Sequence, residues 1–294
     1  MTEPILKIRG VQKLYDDKII LNDIGLDVYP GEFITIVGPT GCGKSTLLRL
    51  LLGSETPSKG LVTVNGEKVT GPDRHRGIVF QKYSLYPNMS VEQNVMFGLE
   101  LEKFSIPTLL FRPFYRKQCR VDFRTSAHAY LCRVGLLSHK GKYPYELSGG
   151  MRQRAAIAQA MVMQPKILFM DEPFGALDVG TREAMQVFVL EQWRQDQQTI
   201  IFVTHDLEEA IFLGTRIIVV SPYYSNADGT PGIGSKIVKD TKIPWDHPRT
   251  TGIKHTKEFN ELMLAIRREG LDPKYLQSIE DFDICTEGGP LTDW

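Results

Sequence analysis

Alternating and short continuous apolar runs fill the first third of the chain, and most of them read as strands. "ILKIRGV" and "LVTVNGEKVT" set β-branched and polar residues at a period of two, and Asn65-Gly66 supplies a hairpin turn in the second. They predict an antiparallel β region near the N-terminus. "EFITIVG" is a continuous apolar run, which predicts a buried strand, and it leads through glycines into "KSTLLRLLLG", a helix that Gly53 ends. From Ser90, where "SVEQ" matches a capping box, to about Gln164 the periodicity is helical, broken by prolines and glycines. Buried-strand runs return in "KILFMDEP" and "QTIIFVTH", separated by a helix around Arg182 to Gln195. Strands alternating with helices predict a parallel sheet, with a helical block (82–165) inserted between 1–81 and 166–220. Residues 221–294 read as an extension whose helical stretch carries Phe259, Leu262, Met263 and Ile266 on one face and stops at Gly270.

Composition narrows the class. The 294 residues suffice for one large domain or two small ones, and 42% hydrophobic residues supply a sizeable core. Thirty-five basic and thirty-five acidic residues leave no net charge, which argues against a broad nucleic-acid footprint. Cys42, Cys119, Cys132 and Cys285 lie far apart without a paired spacing, and no basic-then-apolar signal segment opens the chain, so a reducing cytosol is expected. Runs such as "TIIFV" and "RIIVV" are strand-sized, well short of a bilayer span.

"GPTGCGKST", Gly38 to Thr46, fits G-x-x-x-x-G-K-[ST] between a strand and a helix. Gly38, Pro39, Thr40, Gly41, Cys42 and Gly43 form a loop whose backbone N–H groups can face phosphate oxygens, and the helix dipole adds to the attraction. Lys44 reaches β- and γ-phosphates in such a loop, and Ser45 ligates Mg²⁺. Cys42 reads as a small loop residue. "ILFMDEP" then delivers Asp171 to the C-terminal end of a buried strand, where it can hold Mg²⁺, and sets Glu172 beside it to polarise an attacking water. Taken alone, that acidic pair could equally cap a helix; the phosphate loop favours the catalytic reading.

"LSGGMRQR", Leu147 to Arg154, opens a helix with a serine and two glycines, a second anion site about a hundred residues after the first. It resembles the signature sequence of ATP-binding cassette (ABC) ATPases, and it stands between a phosphate loop and "LFMDEP" in that family's order. The resemblance covers roughly Ile5 to Val220 and includes Gln81 in "VFQ", Asp178 in "GALD" and His205 in "VTHD", the family's Q-loop, D-loop and switch histidine. It implies an α/β P-loop NTPase core with a parallel sheet, an N-terminal antiparallel β subdomain and an inserted α-helical signature subdomain, over residues 1–220. It also implies ATP as substrate and Mg²⁺, ligated by Ser45, Gln81 and Asp171, as cofactor.

In that family the signature of one cassette covers the ATP held by the loop of another. Ser148, Gly149, Gly150 and Gln153 are therefore expected to contact a partner's ATP, with Ser148 donating its hydroxyl and the glycines their N–H groups. Glu172, His205 and Lys44 are the expected catalytic residues, and Tyr15 in "KLYDDK" the aromatic that stacks on adenine. One cassette without a membrane span is the bacterial importer arrangement: a second cassette, transmembrane permease subunits and, indirectly, a substrate-binding protein are the implied partners. The implied location is peripheral, on the cytoplasmic face of the inner membrane. "YSLYPNMSVEQNVMFGLEL" and "HPRTTGIKHTKEFNELMLAIRREG" look similar to the nitrate/sulfonate/taurine importer group. An export or lipid-trafficking ATPase shares the same motifs, and an ABC ATPase acting on nucleic acid usually carries two cassettes or a coiled coil, neither of which is present.

Two segments depart from that pattern. "KFSIPTLLFRPFYRKQCRVDFR", Lys103 to Arg124, interleaves basic and aromatic residues; Pro107 and Pro113 argue against one long helix, so a surface loop packed on the helical block is expected. The residues from Asp281 onward read as disordered.

Overall fold

The computed structural model describes residues 3–82, 84–104, 113–247 and 249–284. In chain order these form β1 (Leu6–Tyr15), β2 (Lys18–Val28), β3 (Phe33–Val37), α1 (Lys44–Leu52), β4 (Lys59–Val64), β5 (Glu67–Lys68) and β6 (Arg76–Val79). There follow α2 (Val91–Lys103), α3 (Pro113–Arg133), α4 (Gly149–Met161), β7 (Ile167–Asp171), α5 (Val179–Asp196), β8 (Thr199–Val203), α6 (Leu207–Leu213) and β9 (Arg216–Ser221). β10 (Tyr224–Ser225), β11 (Lys236–Lys242), α7 (Lys257–Ile266), β12 (Gln277–Ser278) and β13 (Asp283–Ile284) complete the order. The chain divides into two compact units, residues 1–73 with 197–294, and 74–196.

In the first unit the antiparallel region is a four-stranded sheet in the order β2-β1-β4-β5. Asn65 and Gly66 both take positive φ, 51° and 81°, the conformation that a two-residue hairpin between β4 and β5 requires. The second sheet of this unit sets β3 between β8 and β9, parallel to both, with β11 antiparallel to β9. β3 and β8 are buried at every position, as their unbroken apolar runs require of strands covered on both faces. α1 ends where expected: Gly53, at φ 83°, donates its N–H to the carbonyls of Arg49 and Leu50.

Arg216 enters β9 as a buried cation. It bonds Asp240 at 2.6 Å through Nε and also reaches the Asp27 carbonyl and Glu32. Burial would depress its pKa, but the hydrogen bonds and charge of Asp240, with Glu32, outweigh burial and raise it. Arg249, nine-tenths buried, closes the end of α6 by donating to the carbonyls of Ile211, Phe212 and Gly214 at 2.6, 3.1 and 2.8 Å.

The extension packs on this unit. Phe259 and Ile266 lie in a core shared with Ile217, Val219, Leu207 and Ile211, and Leu262 and Met263 pack against it. Gly270 is not a helix stop: residues 267–271 form a π turn, and a side chain at 270 would lie 2.2 Å from Val219 Cγ1. The glycine permits the turn to press against β9. Asp281 closes a 3₁₀ turn and Asp283–Ile284 pair in parallel with β11, so order extends further than the sequence suggests; residues 285–294 lie outside the described ones.

In the second unit β6 and β7 are parallel neighbours, and α2 packs against α3 and α4. Ser90 caps α2 in a reciprocal box with Gln93, as "SVEQ" predicts. The basic-aromatic segment differs from expectation. Residues 105–112, with Pro107, lie outside the described ones, but Pro113 begins the 21-residue α3, because a first-turn proline forfeits no helical hydrogen bond. Arg120 pairs with Glu100 at 2.6 Å and Arg124 with Glu92 at 3.6 Å, so those cations serve the α2–α3 contact.

Candidate active site

The phosphate loop of the first unit is built so that little except glycine fits its ends. A Cβ on Gly38 would lie 2.1 Å from the Val220 carbonyl oxygen and 2.7 Å from Cys42 Sγ. Gly41 and Gly43 sit at φ 82° and 96°, where side chains are strained. Between them Cys42 is buried, and burial pushes its thiol pKa up, which suits packing better than reactivity.

Lys44 begins α1 and is only 7% exposed. Its Nζ donates to the carbonyls of Gly38 and Pro39 at 2.7 and 3.0 Å, which holds the ammonium inside the curl of the loop. No side chain caps α1, so the N–H groups of its first turn point where an anion is best received. Ser45 is half-buried in that turn, and Thr46 is buried and accepts from Arg49 at 3.1 Å. Pro39 is half-buried and Thr40 exposed.

Tyr15 ends β1 and is 39% exposed. Its hydroxyl donates to Glu55 Oε2 at 2.5 Å and accepts from Arg49 at 3.2 Å, while Lys13 Nζ lies 5.0 Å from the ring centroid. Burial would raise the Glu55 pKa, but the hydrogen bonds from Tyr15, Arg49 and Lys13 prevail and lower it. The sequence shows no sign that Arg49 and Glu55 fix this ring, because the three residues meet only in the fold. His205 follows β8, exposed, at a cleft of about 690 Å³ that Met263, Arg267 and Leu271 of the extension also line.

In the second unit Asp171 ends β7 and Glu172 follows it in the left-handed region at φ 46°. A non-glycine residue held there at a strand end is a strained position of the kind that clusters at functional sites. Gln81, two residues past β6, donates from Nε2 to Glu172 Oε2 at 2.9 Å. The structure thus brings together two residues ninety-one positions apart.

Ser148 caps α4: its oxygen accepts from the Met151 N–H at 3.2 Å, leaving the hydroxyl proton to donate outward. A Cβ on Gly150 would lie 3.3 Å from the Ala176 carbonyl oxygen, so the signature helix is packed on the segment before Asp178. Asp178 accepts from the Thr181 N–H at 3.0 Å, and this bond is the main cause of its lowered pKa. Gln153 does not join the exposed face. It is 1% exposed and directed at the Phe80 carbonyl at 3.4 Å, since α4 turns that position inward.

The chain thus carries a glycine phosphate loop before a helix, an acid pair ending a parallel strand, and a serine-capped helix that opens on two glycines. The ABC transporter family model matches residues 21–175. The chain belongs to the ABC transporter family. It is similar to the nitrate import ATP-binding protein NrtD of Synechocystis sp., 47% identical over 220 residues, 74% of this chain and 77% of that one. The taurine import ATP-binding protein TauB of Yersinia pseudotuberculosis is 42% identical over 218 residues, covering 74% and 80%. Among solved structures, a dimeric ATP-binding cassette, MJ0796, in a post-hydrolysis state bound to ADP and Pi, is 27% identical with a TM-score of 0.67. The match covers 82% of this chain and 100% of that one. The protein is accordingly an ATP-binding, ATP-hydrolysing ABC cassette with the α/β P-loop fold. Among the described residues no helix is long and apolar enough to cross a membrane.

Proposed function

We propose that this cassette powers an importer for a small anion or related solute, as one of two cassettes that seal ATP between them. What carries the reading is the 47% and 42% identity to nitrate and taurine import ATP-binding proteins, whose named cargoes both bear an oxyanion group. The dimeric state of the structural neighbour supports the pairing.

The loop Gly38–Thr46 grips the β- and γ-phosphates through backbone N–H groups, and the Lys44 ammonium turns from the carbonyls of Gly38 and Pro39 to the phosphate oxygens. Ser45, Gln81 and Asp171 offer hydroxyl, amide and carboxylate oxygens, the hard donors that suit Mg²⁺. Bound there, Mg²⁺ offsets the charge on the transferring phosphoryl group. Gln81 can serve both ends of its amide, because Nε2 is engaged by Glu172 while Oε1 remains an acceptor. Glu172 orients the attacking water and takes its proton as the new bond to the γ-phosphorus forms and the bond from that phosphorus to the β–γ bridging oxygen breaks, ADP leaving, while His205 steadies the γ-phosphate. Tyr15 stacks on adenine. Ser148, Gly149 and Gly150 close over the ATP of the partner cassette, with Asp178 beside that interface; Gln153, buried in its own unit, supports the helix.

Transmembrane permease subunits, and through them a substrate-binding protein, complete the machine, with this chain peripheral on the cytoplasmic face of the inner membrane. The test is uptake of labelled small oxyanions by cells lacking the protein. Loss of uptake that the intact chain restores and Lys44→Ala does not supports import. Undiminished uptake together with a lost efflux activity overturns it.

A further inference from the structure

A short loop between β10 and β11 is fastened alongside the strand that leads away from Tyr15. Ser235 pairs in parallel with Leu21, donating to the Ile20 carbonyl and accepting from the Asn22 N–H, both at 2.9 Å. The Ile233 carbonyl accepts from Asn22 Nδ2 at 2.9 Å and from the Tyr224 hydroxyl at 3.0 Å. The flanking glycines are required by this placement. A Cβ on Gly232 would lie 2.2 Å from the Tyr224 ring, and Gly234, at φ 74°, would direct one to within 2.7 Å of Ile19 Cγ2. The Ile233 backbone is therefore held from several sides, while its side chain is 64% exposed.

That side chain lies on a cavity of about 1060 Å³, lined by residues 15–19, which include Tyr15, Asp16, Asp17 and Lys18, and by Gly232, Ile233 and Gly234 from the loop. The strand that leads from this cavity passes the phosphate loop: a Cβ on Gly43 would lie 2.9 Å from both Ile20 and Leu21, the residues after Ile19. Lys13 Nζ lies over the ring of Tyr15, which is 39% exposed. An exposed aliphatic side chain lining the same cavity as an aromatic ring suits a flat heteroaromatic ring.

We infer that Ile233 is a base-contacting residue, forming the wall of the purine site across from Tyr15, so that the extension takes part in nucleotide selection. This rests on the reading that Tyr15 carries adenine. The contact adds apolar area to ATP binding and nothing to binding of the phosphates alone.

Equilibrium binding of ATP and of inorganic tripolyphosphate, to the intact chain and to Ile233→Ala, Tyr15→Ala and the double variant, tests it. Removing the three terminal carbons from a partly covered contact predicts that Ile233→Ala weakens ATP binding about 3- to 10-fold. Tripolyphosphate affinity should stay unchanged, and the double variant should lose less than the product of the two single effects. Normal ATP affinity in Ile233→Ala with weakened affinity in Tyr15→Ala overturns the inference and leaves the Tyr15 reading standing. Normal affinity in both overturns both. Equal loss for ATP and tripolyphosphate in Ile233→Ala means a distorted loop, and overturns the inference as well.

Discussion

Gln81 Nε2 donates to Glu172 Oε2 at 2.9 Å, although the two residues stand on opposite sides of the whole helical insertion in the sequence. The bond holds the carboxylate at a left-handed backbone position, φ 46°, at the end of β7. It also ties the start of the inserted block to the residue proposed to activate water.

Replacing Glu172 by Gln keeps the shape and removes the base. ATP binding should persist while hydrolysis falls on the order of 10²–10⁴-fold, the range for one general acid–base group. Phosphate release under single turnover measures it, and undiminished release assigns the role elsewhere, with His205 next to test.

Gln81→Glu would place a second carboxylate against Glu172. Two carboxylates at hydrogen-bond distance share a proton, so one of the pair titrates at higher pH than either alone. Below that pKa the pair carries the proton and the base is lost; above it the base returns. The acid limb of the kcat/KM profile should therefore move to higher pH, whereas an unmoved limb with uniformly lower activity indicates that only metal contact was lost.

Lys44→Ala removes an ammonium that binds phosphate by charge-assisted hydrogen bonds, each worth about 1.5–3 kcal/mol. ATP affinity should fall about 10- to 100-fold by titration calorimetry, with the circular dichroism spectrum unchanged.

Arg249→Leu should cost stability rather than chemistry. It leaves three carbonyls at the end of α6 without their common donor, a loss of about 2–4 kcal/mol. Thermal melting of the variant should start several degrees lower. The same onset as the intact chain would mean that water replaces the guanidinium without penalty.

The parts legible in the sequence are those written in local pattern. The glycine loop, the apolar runs that end at Asp171 and before His205, the Ser90 box and the Asn65-Gly66 turn each depend on residues within a few positions of one another. What escaped depends on tertiary context. Pro113 reads as a breaker in the sequence because its place at the first turn of α3 is invisible without the helix boundary. Gly270 reads as a stop, whereas its smallness serves a contact with Val219, fifty-one residues earlier in the chain. Gln153 sits in the same signature as the exposed Ser148 yet is buried and faces Phe80, a matter of helical phase against the core. Tyr15 is legible as an aromatic, but Arg49 and Glu55, which orient it, stand 34 and 40 residues further along the chain.

The central claim is that the signature of one cassette covers the ATP of another. The direct measurement is photo-cross-linking in a mixed pair. One subunit carries a photoreactive residue at position 148 and Lys44→Ala, so that its own loop holds nucleotide poorly; the other is unaltered and binds radiolabelled ATP. The account predicts label on the altered subunit in the mixed pair and none when the altered subunit is alone. Label absent from the altered subunit, with the partner's loop saturated by ATP, would contradict the sandwich.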